Sequence, residues 1–295
     1  MANLPETDSK TTTIAKKNGK STTTAKRSET DAGKRSREEM DGRYLIRAAL
    51  NALEALDLFT TDKSSLCVSE LQQALGVNAN MAFRILYTLE TAKYIVYNPE
   101  TGKYHLSLKV FTMGKVAAAS ISINRFALPY MRLLSTEYPK LNVVLLVYEH
   151  GDLIVTERIS SNWLPKVYAH VGRTQPLHAT ASGKIFLSQL DDAELEVVVR
   201  EKGLESFTAS TITDYDTLKK ELEEIRTSGI AWEREEHILG LNGFASAIRD
   251  KNDNVIAALC MSGFNNYVSI KELEEVMGKL LDATLRISET MRFTR

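Results

Sequence analysis

The sequence predicts an α+β protein in which a small winged helix-turn-helix domain is joined by a helix to a larger domain that contains an antiparallel sheet. Between Arg43 and Leu108, a helix, two short helices around a glycine turn and a hairpin follow one another in winged-helix order. Beyond residue 140, apolar runs separated by tight turns alternate with amphipathic helices. That mixture is typical of α+β folds.

Length and composition limit the class of protein. The chain has 295 residues, 43% hydrophobic residues and a net charge of -1, so it has enough apolar material for one or two globular domains. The two cysteines, Cys67 and Cys260, cannot form a disulfide framework or a tetrahedral zinc site by themselves. No apolar run approaches the roughly 20 residues of a membrane span, and no secretory signal is present. We therefore expect a cytoplasmic protein without a metal or cofactor.

Residues 1–40 are a low-complexity segment that cannot bury enough apolar surface to offset its ordering entropy, so we predict a disordered arm. From Met1 to Arg37 it carries nine Lys or Arg against four Asp or Glu. A basic arm of this kind can add phosphate contacts beside a DNA-binding domain. A solubilising tail is the alternative.

The first domain is predicted over residues 43–108. A helix at 68–75 ends at Gly76, a residue suited to a left-handed helix end, and Asn78 can cap a second helix from 79 to about 91. Apolar runs on both sides of the turn NPETGK predict the hairpin that forms the wing.

In a winged helix, the second helix of the helix-turn-helix enters the major groove of DNA. Arg84 can make a bidentate contact to guanine or to phosphate, Asn80 can pair with adenine, and Lys103 in the wing suits a phosphate. The residues expected at the DNA are Asn78, Asn80, Met81, Phe83, Arg84, Tyr87 and Lys103. Between Arg43 and Leu108, six basic residues balance six acidic ones. The domain therefore lacks a basic footprint, and a protein-binding winged helix stays open as an alternative.

A helix is predicted to link the domains over residues 109–122, and the second domain is predicted over 123–295. Within it, two stretches carry polar groups beside small residues. In PLHATASGK, small residues lead into a helix and place backbone N–H groups where an anion such as a carboxylate is favoured. In the stretch from Gly229 to Gly263, the ionisable run Glu233–His237 lies next to small-residue strands and suggests the edge of a pocket.

Four motifs in this order resemble the IclR family of bacterial transcriptional regulators over roughly Arg43–Arg295: RAALNALEAL, SELQQALGVNANMAFRILYTLE, PLHATASGKIFL and GIAWEREEHILGLNGFASAI. The resemblance implies a winged-helix DNA reader, a linker helix and an effector domain with a curved antiparallel sheet related to GAF sensor domains. It also implies a homodimer or homotetramer that binds a near-palindromic operator in double-stranded DNA.

Carried over by position, the resemblance implies an effector pocket in which the backbone N–H groups of Ala181 and Ser182 hold a carboxylate. Glu233 takes the place of the pocket acid, and if ionised it would repel a carboxylate. Gly243 would enlarge the pocket. The full set implied for the effector site is Leu164, Val167, Ala181, Ser182, Glu233, Leu241, Gly243, Cys260 and Ser262.

We therefore predict a transcription factor that responds to a small organic or aromatic acid and performs no catalysis. An enzyme that uses a His178/Ser182/Glu233 cavity is one alternative. The sequence has no nucleophile-elbow motif at Ser182, and no Asp is positioned to complete a catalytic triad. The other alternative is a sensor module that binds a protein through its winged helix, which would show no salt-dependent affinity for duplex DNA.

Overall fold

The computed structural model describes residues 45–60, 63–161 and 170–293, which form two compact units that divide between Thr112 and Met113. The predicted arm at 1–40 lies outside the described residues, and so do Leu164 and Val167. Each unit is described by itself.

The first unit has the winged helix-turn-helix architecture that the sequence predicts. Its elements are α1 (Arg47–Asp57), β1 (Ser65–Leu66), α2 (Val68–Leu75), α3 (Ala79–Thr91), β2 (Ile95–Asn98) and β3 (Lys103–Leu106). The three strands form an antiparallel sheet in the order β1-β3-β2. The two-residue strand β1 was not predicted, because two residues are too few to show an alternating pattern.

The ends of the two central helices follow from their local sequence. Gly76 closes α2 with φ +63°, a left-handed conformation that costs glycine no steric strain. The side-chain oxygen of Asn78 accepts a hydrogen bond from the backbone N–H of Met81 at 2.8 Å, so Asn78 caps α3. On α3, the apolar positions Ala82, Ile85, Leu86 and Leu89 are buried. The opposite side of the helix therefore faces solvent.

A helix, α4 (Leu108–Ser120), runs through the division between the units. It ends two residues before the predicted linker boundary at 122, because Ile121 leaves the helical conformation and a new helix begins at Ser122. Beyond it, the elements of the second unit are α5 (Ser122–Glu137), β4 (Asn142–Glu149), β5 (Asp152–Ile159), β6 (Thr174–Gln175), α6 (Ala181–Leu187), α7 (Asp192–Lys202), α8 (Tyr215–Ser228), β7 (Ile230–Arg234), β8 (Leu241–Arg249), β9 (Val255–Phe264) and α9 (Ile270–Phe293).

These strands form one curved antiparallel sheet in the order β6-β5-β4-β9-β8-β7. Side chains alternate between the two faces of a strand. On β4, Val143 and Leu145 pack with α5 and α9 on one face, whereas Val144 and Leu146 pack with α6 and α8 on the other. Both faces are thus covered, and the candidate ligand site lies on the face that α6 covers.

Candidate functional site

The side of α3 that faces solvent carries the side chains expected at DNA. Asn80, Phe83, Arg84 and Tyr87 are exposed, and the rings of Phe83 and Tyr87 stack with their centroids 6.1 Å apart. Met81 differs from the prediction: it is half-buried and packs against the core of the first unit. The surface that α3 offers therefore combines one cation, one amide and an aromatic pair.

The wing lies on the same unit. Lys103 is half-buried on β3, where it pairs in register with Asn98 on β2. Asn78 serves as the cap of α3, so its side-chain oxygen is already engaged within the helix.

A small space in the second unit brings together most of the residues implied for the effector pocket. We call it the Glu233 cavity. Its volume is about 30 Å³, room for one or two water molecules. It is lined by Val144, Leu146, Val155, Gln175, Thr180, Ser182, Glu233, His237, Leu241, Cys260 and Ser262.

Strand register explains how distant residues meet at this cavity. Glu233 on β7 pairs with Gly243 on β8, and Gly243 pairs with Ser262 on β9. A Cβ atom on Gly243 would lie 2.8 Å from the Cβ of Ser262. Gly243 is not among the residues that line the cavity, and its missing side chain lets the neighbouring strand carry Ser262 this close.

Glu233 is the most perturbed acid of the site. It is 4% exposed, and its Oε1 atom is buried with no hydrogen-bond partner among the described residues. Burial and the nearby Glu236 carboxylate raise the pKa of Glu233 to about 8, although Lys184 and the backbone N–H groups of Ala181 and His237 oppose that shift. Glu233 is therefore mostly protonated at neutral pH. Its carboxyl group also shares the Ala181 N–H that the resemblance assigns to a ligand.

A fully buried lysine lies beside the cavity. The Nζ atom of Lys184 donates hydrogen bonds to both carboxylate oxygens of Glu236 at 2.8 Å and to Oε1 of Glu221 at 2.5 Å. Burial raises the pKa of Glu236, and Lys184 opposes that effect. The Lys184 charge is thus neutralised by carboxylates of the protein itself. Sequence reasoning did not predict this buried cluster, because lysines are usually exposed.

The other titratable groups of the cavity are uncharged at neutral pH. Burial, with Arg173 and His178 nearby, lowers the pKa of His237 to about 4. Burial and Glu233 raise the pKa of the Cys260 thiol to about 12. No Lys or Arg is among the described residues that line the cavity. Its polar lining therefore consists of neutral hydrogen-bonding groups.

A second, larger cavity of about 370 Å³ adjoins the first, and Gln175 and His237 line both. We call it the aromatic cavity, because the ring of Phe207 lies in its wall with centroids 5.1 Å from His237 and 5.9 Å from His178. Together the two spaces have the size of a small-molecule site.

The side chains of the enzyme alternative are divided between these cavities. Ser182 and Glu233 line the Glu233 cavity, whereas His178 lines the aromatic cavity. The Nε2–H of His178 donates to the backbone oxygen of Glu205 at 2.9 Å, so that nitrogen is not positioned as a base for Ser182. Within the described ranges, no cluster of His, Cys, Asp and Glu could hold a metal ion, and no helix is long and apolar enough to cross a membrane.

Of the effector residues that the sequence predicts, Ser182, Glu233, Leu241, Cys260 and Ser262 line one cavity, and Ala181 lies at the start of α6 beside it. His237, the last residue of the ionisable run expected at a pocket edge, also lines the cavity. Sequence reasoning missed the others that share this lining: Val144, Leu146, Val155, Gln175 and Thr180. The alternation on β4 signals that Val144 and Leu146 share a face, but it does not say which face meets a ligand.

Two family descriptions match most of the described chain. Residues 48–99 match the IclR helix-turn-helix domain, and residues 115–289 match the bacterial transcriptional regulator IclR C-terminal domain. Among curated proteins, the Escherichia coli K12 regulator XynR is 28% identical over 84% of this chain and 98% of its own length. The repressor AllR of the same strain is 32% identical over 66% of this chain and 72% of its own length.

Solved structures share the fold. An IclR transcriptional regulator from Alicyclobacillus acidocaldarius aligns with a TM-score of 0.73 at 22% identity, over 83% of this chain and 99% of its own. An IclR homolog from Microbacterium hydrocarbonoxydans, complexed with 4-hydroxybenzoate, aligns with a TM-score of 0.71 at 21% identity, over 84% of this chain and 100% of its own.

Proposed function

Since the chain belongs to the IclR family of bacterial transcriptional regulators and is thus a ligand-responsive DNA-binding regulator, we propose that a small carboxylic acid bound in the Glu233 cavity controls its affinity for a near-palindromic operator. The convergence of neutral polar groups and apolar side chains at that cavity carries the proposal. The Microbacterium homolog, which holds a hydroxybenzoate, supports the ligand class.

On DNA, the exposed side of α3 enters the major groove. Arg84 contacts guanine or phosphate, Asn80 reads adenine, and the Phe83–Tyr87 pair covers apolar base edges. Lys103 contacts a phosphate from the wing. Asn78 and Met81 act indirectly, because Asn78 caps α3 and Met81 packs against the core beneath it.

In the second unit, the acid lies with its carboxylate near Ala181, Ser182 and Glu233. The remainder of the molecule extends past Gln175 and His237 into the aromatic cavity. Leu241, Cys260 and Ser262 complete the wall around it. The predicted wall residues Leu164 and Val167 remain predictions, as they lie outside the described chain.

The regulator acts as a homodimer or homotetramer in the cytoplasm, where it reaches the chromosome. Two helices offer apolar side chains that a second copy of the chain could cover. On α4, Leu108 is 82% exposed and Val116 is 70% exposed. Leu53 on α1 and Ile46, which directly precedes that helix, are exposed as well. Exposed apolar groups on helices favour association between copies.

The experiment is a fluorescence-anisotropy titration of the full chain on the DNA upstream of its own gene, with and without candidate acids. An acid that binds the protein should change the operator affinity at least fivefold, because regulation requires different affinities for the two states. Acid binding with unchanged operator affinity would contradict the proposal. Acid recovered chemically unaltered would argue against the enzyme alternative, and turnover of the acid would favour it.

A further inference from the structure

The buried carboxyl group of Glu233 lines the cavity in which we place the effector carboxylate. The Oε1 atom of Glu233 is buried and has no hydrogen-bond partner among the described residues, and the side chain lines the Glu233 cavity. A buried polar atom without a partner is unfavourable, so a ligand that pairs with it gains affinity.

We propose that the protonated carboxyl group of Glu233 donates a hydrogen bond to the carboxylate of the effector, so that the two acids share a single proton in the Glu233 cavity. This inference rests on the proposed function. It names Glu233 as the residue that selects ionised carboxylic acids as effectors. Glu233 then acts as a specificity-determining residue.

The charges around the Glu233 cavity favour this arrangement. No Lys or Arg is among the described residues that line the Glu233 cavity, whereas Arg173 and Lys202 line the adjoining aromatic cavity. Lys184 already donates to Glu221 and Glu236. An ionised Glu233 would place two carboxylates together without a counter-charge, which is strongly unfavourable. A proton on Glu233 removes that repulsion and turns the side chain into a donor for a charge-assisted hydrogen bond.

Among the groups that face Glu233 from the neighbouring elements, the Glu236 carboxylate favours the protonated form and the Lys184 ammonium opposes it. Glu236 follows on the same segment, Lys184 lies on α6 with Glu221 of α8 as its second partner, and Cys260 lies on β9. The neutral His237 shares the cavity. Lys184 is the one cation of this group, and both of its carboxylate partners lie within hydrogen-bonding distance.

The proton linkage follows directly. At pH 7, Glu233 already holds its proton, so the acid binds without proton uptake. Since burial raises the pKa of Glu233 to about 8, the protonated fraction falls about tenfold between pH 7 and pH 9. The dissociation constant of an acidic effector should therefore rise about tenfold over that interval.

The test uses the full-length protein and a panel of benzoate, 4-hydroxybenzoate, lactate and glycolate, each beside its primary carboxamide. Binding is measured by isothermal titration calorimetry at pH 7 and pH 9. The variants are Glu233→Gln, which keeps a neutral donor, and the matched control Glu223→Gln, which removes an exposed acid from α8. Infrared spectroscopy detects the proton on Glu233 directly through the carbonyl band of a carboxylic acid. Comparison of the wild type with Glu233→Gln assigns that band.

We expect at least one acid to bind, with a tenfold loss at pH 9 in the wild type and in Glu223→Gln. Glu233→Gln should bind that acid with no loss at pH 9. The infrared band should be present at pH 7, fade by pH 9 and shift when the acid binds.

Four results would each overturn the inference. The first two are that carboxamides bind but acids do not, and that no acid in the panel binds. The others are equal acid affinity at both pH values and absence of the band at pH 7. If Glu233→Gln fails to fold, the pH dependence and the band of the wild type still decide. Operator affinity separates the two proposals. If a carboxamide changes the operator affinity, the proposed regulation of DNA binding stands and this inference fails. If an acid binds with the expected loss of affinity at pH 9 but leaves the operator affinity unchanged, this inference stands and the proposed regulation fails.

Discussion

The Nζ atom of Lys184 contacts both carboxylate oxygens of Glu236 at 2.8 Å, and the lysine side chain is fully buried. A buried ion pair of this kind adds little to folding stability compared with an apolar pair of similar size. Removing one partner is nevertheless costly, because it leaves the other charge buried and uncompensated. This contact also lies beside Glu233, so it sets the electrostatics of the candidate effector site.

The first prediction follows from that contact. Lys184→Met should lower the free energy of unfolding by about 3–5 kcal/mol, because Glu236 and Glu221 lose their shared cation. The matched control is Lys219→Met, whose lysine pairs with the exposed Asp192 and whose loss should cost much less, because solvent screens an exposed ion pair. Urea unfolding monitored by circular dichroism measures both, and equal losses in the two variants would contradict the assigned burial.

The pH dependence of stability gives a second prediction. The pKa of Glu233 is about 8 in the folded protein against its usual 4.5, so the folded chain keeps a proton that the unfolded chain has lost between those values. The stability that this proton contributes is fully present below pH 4.5 and is lost as pH rises through 8. Glu233→Gln should show no such loss.

Urea unfolding of both proteins at pH 5, 7 and 9 provides the measurement. The difference between the wild type and Glu233→Gln isolates Glu233, because His237 and Glu236 remain in both proteins. Two curves that run parallel across this range would show that Glu233 ionises normally in the folded state.

Two glycines offer a matched comparison of packing. A Cβ atom on Gly183 in α6 would lie 2.2 Å from the backbone oxygen of Leu177, and backbone cannot move aside easily. Gly183→Ala should therefore destabilise the protein by about 3 kcal/mol or more. Gly278 in α9 has no neighbour within 4 Å of such an atom, so Gly278→Ala should stabilise the protein by up to about 1 kcal/mol. Thermal unfolding distinguishes these outcomes, and destabilisation by both would refute the packing argument.

Phe83 on α3 gives a prediction about base recognition. Its ring is half exposed and stacks on Tyr87, which suits contact with the methyl group of a thymine. Replacing the thymines of the operator by uracils removes that methyl group and should weaken wild-type binding about fourfold, from roughly 0.8 kcal/mol per methyl-sized group. Phe83→Ala should bind both DNAs equally. If uracil weakens the binding of Phe83→Ala as much as it weakens the binding of the wild type, another residue contacts the methyl group.

The exposed apolar side chains of α4 predict where copies of the chain associate. Replacing Leu108 and Val116 together by glutamate should convert the oligomer to a smaller species, because two charges would enter an apolar contact. The control, Leu133→Glu, changes a leucine on α5 that is 67% exposed and should leave the oligomer intact. Light scattering coupled to size exclusion measures the mass, and an unchanged mass for the double variant would place the contact elsewhere.

Local signals in the sequence predicted most of the first unit, although not its two-residue strand β1. Gly76 and Asn78 set the two helix ends of the helix-turn-helix, and the hairpin turn lies between two short apolar runs. The exposure of Met81 could not be predicted in this way, because it lies at the border of the apolar stripe of α3, where packing with α1 and α2 decides burial.

The candidate effector site was only partly predictable. Five of the residues implied by the family resemblance line the cavity, but the Lys184 cluster joins positions 37 and 52 residues apart, which no local pattern reveals. The protonation of Glu233 likewise depends on burial, a property of the assembled fold. Gly243 was assigned to the pocket, although its observed role is the close approach of Ser262.

The central claim is that α3 reads an operator, and an anisotropy titration of the wild type and Arg84→Ala tests it most directly. The DNA is the segment upstream of the protein's own gene, at two salt concentrations with nonspecific competitor, and Arg132→Ala in the second unit is the control. We expect tight, salt-sensitive wild-type binding that Arg84→Ala weakens by about 1–3 kcal/mol while Arg132→Ala leaves it unchanged. Equal affinities for Arg84→Ala and the wild type would contradict the account.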